Sequence, residues 1–111
     1  MTASSKRDLL PGTLDLLILK TLSTQAMHGY GMAQHLQRLS QDVIRVEEGS
    51  LYPALQRMRQ KGWIKAEWRQ TPNNQRARYY TVTAKGRKHL GQEEGGLAAL
   101  LAAINRIMKP V

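Results

Sequence analysis

Tyr52, Gln56, Arg59 and Gln60 recur at helical spacing in a stretch that runs from about 50 to 61. Residues three and four apart share one face of a helix. Such a helix would gather a phenol, two carboxamides and a guanidinium on one side, with Arg57 and Lys61 towards its edges. A carboxamide matches the donor–acceptor pair on the major-groove edge of adenine, and a guanidinium matches guanine or clasps a phosphate. The chemistry on offer is therefore recognition of duplex DNA rather than bond making. Gln56 is the candidate reader of an adenine, Arg57 or Arg59 of a guanine or phosphate, and Tyr52 would approach the same groove.

Those side chains need an element that fixes them. Leu51, Ala54, Leu55 and Met58 fall at i, i+3, i+4 and i+7, the spacing of a buried stripe. Gly49 and Ser50 are read as a break and a cap, with Pro53 in the first turn, where its missing N–H is no loss. Ser50 and the helix N-terminus would also anchor a phosphate. Alone, this could be an ordinary basic, amphipathic surface helix. The segment C-terminal to it changes the odds. Gly62 stops the helix, 63–69 alternates apolar and polar residues as a half-buried strand does, 70–75 is a polar turn, and 76–83 returns as a second strand. Helix, strand, basic loop and strand is the order of a winged helix. Arg76 and Arg78 flank the wing at 70–78 and would meet the adjacent minor groove. Tyr79 and Tyr80 alternate faces, so one is core and the other a phosphate contact or wing support. Trp63 and Trp68 are expected to anchor the wing on the helices.

Upstream, Thr13 is read as the cap of a first helix, with Asp15 favouring its dipole. Leu14, Leu16, Leu17, Ile18, Leu19 and Leu22 make that helix apolar on nearly every side, which predicts partner contact beyond the core. Residues 27–31 break the chain before a second helix with Met32, Ala33, Leu36 and Leu39 as its stripe, and Tyr30 at its start joins the DNA-facing set. Downstream, 84–88 begins another helical stretch. Gly95 and Gly96 each cost about 1 kcal/mol against alanine, so a bend or break is expected there. Leu97, Leu101, Ile104 and Met108 then recur at spacings of four, three and four, a coiled-coil-like seam widened by Leu100 and Ile107. The seam could pack on its own chain; the surplus apolar surface of the first helix, at Leu14 and Leu17, favours pairing with a second copy.

At 111 residues one domain is expected. Between Arg45 and Lys88, eleven Lys or Arg face three Glu, so +8 of the formal +9 falls in the segment that contains the helix and wing. Anionic surfaces of other kinds could use the same field, so the charge supports DNA without deciding it. The absence of cysteine excludes disulfides, thiolate metal sites and cysteine nucleophiles. The apolar run from Leu14 to Leu22 is too short to span a bilayer, and no secretory cleavage site comes after it. A cytoplasmic protein without membrane contact is the expectation. His28, His35 and His89 lack metal-ligand spacing, and no phosphate loop or nucleophile motif occurs, so neither enzyme, metal nor cofactor is expected.

Three blocks together resemble the PadR-type transcriptional regulators: Leu10 to Asp15 with the leucine-rich helix and His28-Gly29-Tyr30-Gly31; Gly49 to Leu55; and Arg78 to Gly86. The resemblance implies a mainly α fold with a small β-wing, a winged helix-turn-helix with N-terminal and C-terminal dimerisation helices. It implies a dimer, usually a repressor, acting on double-stranded DNA. The division expected is a disordered lead at 1–8, the winged-helix domain at 9–88 and a C-terminal dimerisation helix at 89–111, without a separate ligand-binding domain. Two alternatives stay open: an interaction module that uses its basic face on an acidic protein, and a sensor with a small-molecule effector of unspecified identity at the dimer interface. Against the latter, the seam from Leu97 to Met108 has no aromatic residue on which a flat molecule could stack.

Overall fold

The computed structural model describes residues 12–110, and the readings placed on 1–11, the lead included, lie outside the described residues. The elements are α1 (Thr13–Leu22), β1 (Met27–His28), α2 (Gly29–Leu39), α3 (Glu48–Gln60), β2 (Ile64–Gln70), β3 (Arg76–Val82) and α4 (Ala84–Met108). The fold is mainly helical with one small antiparallel sheet, ordered β1-β3-β2.

The four apolar positions of α3, Leu51, Ala54, Leu55 and Met58, are all buried. They meet Ile18, Leu19 and Leu22 of α1, Met32 of α2, Ile64 and Tyr80 of the sheet, and Leu90 of α4 in one core. Full burial of a Leu, Ile or Met side chain contributes about 1.5–3 kcal/mol, so this cluster, with α3 at its centre, sets the attitude of that helix. Leu39, expected on the stripe of α2, is 68% exposed, because it sits where that helix ends and no element covers it.

Two helix starts differ from expectation, for a common reason. No side chain caps α1 or α3, where the sequence offers candidates. The residue before α1 is Gly12 at φ +88°, and Thr13 is already helical and caps nothing. Helix α3 begins at Glu48 after an extended Glu47, whose carbonyl accepts from the N–H groups of Ser50 and Leu51 at 3.0 and 2.9 Å. Gly49 and Ser50 are therefore helical, and Pro53 is the sixth residue of α3 rather than part of its first turn. The proline removes the bond that the Gly49 carbonyl would otherwise accept; both residues are exposed, so water can reach that carbonyl. Side chains do cap the other two helices: the His28 ring accepts from Gly31 N–H at 3.0 Å, and Thr83 Oγ1 from Gly86 N–H at 3.1 Å.

Residues 27–28, read as part of a break, pair with β3 as Met27↔Tyr80 and His28↔Tyr79. The expected break at Gly95 and Gly96 does not occur: α4 runs unbroken for 25 residues from Ala84, so the division drawn between 88 and 89 falls inside an element. Both glycines keep ordinary helical backbone on an exposed face with nothing packed on them. The alanines and leucines beyond them, from Leu97 to Ala103, are strong helix formers and offset the glycine penalty.

Candidate nucleic-acid interface

With one side of α3 in the core, Tyr52, Gln56 and Gln60 stand exposed on the other. Arg59 lies beside them, its Nη1 donating to Gln56 Oε1 at 3.2 Å. Tyr52 leans on the first turn of α2, where a Cβ at Gly29 would come within 2.8 Å of its hydroxyl oxygen; the glycine is what lets the ring lie there. Burial, and then the charge of Glu48, hold the Tyr52 phenol above its ordinary pKa, so it stays a hydrogen-bond donor. Ser50 is exposed two residues into α3.

Arg57 does not join this face. Its Nη2 donates to Asp15 Oδ1 of α1 at 3.1 Å, and the Asp15 side chain is only 11% exposed. A carboxylate so buried needs a charged or hydrogen-bonding partner, and position 57 lies on the flank of α3 that turns towards α1. Arg57, expected to read a guanine or phosphate, ties α3 to α1 while its side chain stays 53% exposed. Lys61, near the same flank, sits 4.7 Å from the Trp63 ring centre.

The register of the hairpin sorts the wing into two faces. Ile64, Ala66, Trp68 and Gln70 of β2 stand opposite Val82, Tyr80, Arg78 and Arg76 of β3. Near the base this face belongs to the core, and Tyr80, at 6% exposure, is packed there. Its expected contact with DNA is therefore corrected, and Tyr79 is the tyrosine on the opposite face, edge-on to His28 at 5.3 Å and beneath Arg69. Towards the tip the same face leaves the core. Trp68 is 59% exposed there, with the Arg76 and Arg78 guanidinium carbons 5.4 and 6.0 Å from its ring centre. Trp63 does what was expected of both tryptophans: half-buried at the wing base, it stacks on His89 of α4 at 3.8 Å. The tip itself is closed by Thr71, whose N–H donates to the Gln75 carbonyl at 2.6 Å, with Asn74 at φ +66°.

Between the start of α2, the near edge of α3 and the inner face of the wing lies a groove of about 820 Å³, lined among others by Tyr30, Tyr52, Trp68, Arg76 and Arg78. Tyr30 is 63% exposed at its rim. Trp68 is the residue that sequence reasoning misplaced. Counting register back from the turn puts it on the face of Arg76 and Arg78, but only knowledge of where the core ends along the strand reveals that it is uncovered.

At the other end of the molecule, α1 packs on α4, where Lys20 pairs with Glu94 at 2.8 Å. Leu14 and Leu17 are half-buried, Leu14 against the core. Along α4, Leu97 is half-buried, whereas Leu101, Ile104 and Met108 are 51, 42 and 75% exposed, flanked by exposed Leu100 and Ile107. The histidines have structural partners: His28 caps α2, His35 lies 3.3 Å from an Arg38 nitrogen and His89 stacks on Trp63. Among the described residues no group of three or more His, Asp or Glu could hold a metal, and no helix is long and apolar enough to cross a membrane.

A sequence model of the transcriptional regulator PadR-like family matches residues 18–92. The fold is similar to that of a PadR-like transcriptional regulator from Bacillus cereus, at a TM-score of 0.80 and 25% identity, over 90% of this chain and 95% of that one. A transcriptional regulator from Clostridium thermocellum superposes at 0.79 with 26% identity, over 88% and 95% of the two chains. A PadR family transcription regulator from Clostridium difficile does so at 0.77 with 27% identity, over 88% and 100%.

Proposed function

The chain belongs to the PadR-like family of transcriptional regulators, and from that premise we propose that it is a dimeric repressor that binds a two-fold symmetric DNA operator. Helix α3 enters the major groove through Tyr52, Gln56, Arg59 and Gln60. Arg76 and Arg78 hold the wing at the adjacent minor groove, and Ser50 and Tyr30 meet phosphates. The observation that carries this reading is the two-sidedness of α3. Its apolar side is fully committed to the core, while Gln56 and Gln60 of its polar side stand exposed and Tyr52 borders one open groove with the arginines of the wing.

Pairing through the exposed seam of α4, with Leu14 and Leu17 of α1 at its edge, fixes the distance between two copies of α3. Half-sites about one helical turn apart, roughly 34 to 36 Å, result from that arrangement. Repression is the mode of action that covering an operator would produce.

Base contacts specify and phosphate contacts position, which gives the test. Duplexes selected from a random pool should show one two-fold motif. Gln56→Ala should relax preference at one or two positions of each half-site, worth about 1 to 3 kcal/mol in competition. Arg76→Ala should instead weaken all sequences by similar factors. An unchanged motif with Gln56→Ala would place α3 differently on DNA, and no enrichment at all would reject the reading.

A further inference from the structure

Trp68 neither packs in the core nor belongs to the polar face of α3. An indole 59% exposed near the tip of a wing is unusual unless something covers it, since a bare aromatic face is a large apolar surface left in water. Its neighbours indicate what that is. Arg78 stands directly across the ladder from it and Arg76 on the diagonal, both beside its ring. The groove that it faces carries the hydroxyls of Tyr30 and Tyr52 and has no Asp or Glu in its lining. The Arg78 Nε–H is buried and donates to no acceptor among the described residues, an unpaired donor that costs free energy until an oxygen reaches it.

Docking supplies the occupant. A protein with its helix in the major groove and its wing in the neighbouring minor groove straddles the one sugar–phosphate strand that separates the two grooves. That strand must cross the space between α3 and the wing, which is where this groove lies. Resting on the DNA-binding reading above, we infer that the groove is the seat of this single strand and that Trp68 is its floor. The indole packs on the apolar C–H surface of a deoxyribose, while Arg76, Arg78 and the two tyrosine hydroxyls hold the phosphates on either side. The contact carries no base sequence. It sets how deeply the wing sits.

The two tryptophans separate the outcomes, because Trp63 lies stacked on His89 away from the groove. With an end-labelled duplex from the selected pool, anisotropy reports binding and tryptophan emission reports the groove. In Trp63→Phe, emission from Trp68 should change with the same midpoint as the anisotropy. In the reciprocal Trp68→Phe, emission should stay nearly flat. Trp68→Ala should weaken the selected and a scrambled duplex alike, by about tenfold for the lost apolar contact. It should leave the salt slope unchanged because no charge is removed, whereas Arg78→Ala should shallow that slope by about one unit. Binding with unaltered Trp68 emission, wild-type affinity in Trp68→Ala, or a loss confined to one sequence would overturn the inference and leave DNA binding standing. Failure to bind any duplex would remove both.

Discussion

Leu101→Asp is expected to turn a dimer into monomers at micromolar concentration while leaving the fold intact. The position is 51% exposed in the single chain, so the aspartate stays solvated when the chain is alone. In the paired seam it would be buried without a partner, once from each copy, and an uncompensated buried charge costs several kcal/mol. Each 1.4 kcal/mol is tenfold in affinity, so the dimer should weaken by a hundredfold or more, to order of magnitude. Binding to the full operator should fall far more than binding to one half-site, because the second contact is no longer nearly intramolecular. Sedimentation of both proteins decides the matter. A monomeric wild type, or a variant that stays dimeric and folded, would mean that another surface covers the seam.

Gly86→Ala should cost the most in stability of any glycine-to-alanine change in this chain. A Cβ there would lie 2.1 Å from the Trp63 carbonyl oxygen and 2.9 Å from Val82 Cγ2, and the first obstacle is backbone. That carbonyl also accepts from Thr83 N–H at 2.9 Å, so it cannot yield without loosening the junction of wing and α4. We expect a loss of about 3 kcal/mol, which in a domain of this size lowers Tm by roughly 10 to 20 °C. Gly91→Ala, in the same helix with nothing within 4 Å of its Cβ, should instead stabilise by about 0.5–1 kcal/mol. Thermal unfolding of the pair is the check; equal Tm values would mean that α4 does not dock on the wing base as described.

How much could be read from the sequence depended on the range of the interaction involved. The stripe Leu51, Ala54, Leu55, Met58 needs only the helix period, and it is buried throughout. The wing's strands and turn needed only alternation and turn residues, and they lie within one residue of where they were expected. The start of α3 was misjudged because the helix begins at Glu48 with no side-chain cap, so no residue type announces it. The tie of Arg57 to Asp15 could not be read because the two lie 42 residues apart and meet only after α1 and α3 have packed. The Gly95–Gly96 break failed because a local propensity was weighed without the alanine-rich turns beyond it. Tyr80 and Trp68 are the same problem seen from opposite ends of the hairpin. They share a face, and whether that face is core or surface depends on how far α3 extends beneath it.

If the charge gathered on α3 and the wing is what grips duplex DNA, the equilibrium affinity for the selected duplex must depend on salt, and measuring it across a range of salt concentrations is decisive. A linear fall of log K with log salt is expected, at about 0.9 per phosphate neutralised and summing over several contacts, with the preference over a scrambled duplex kept throughout. A flat response, or no duplex bound at any salt, would contradict that grip.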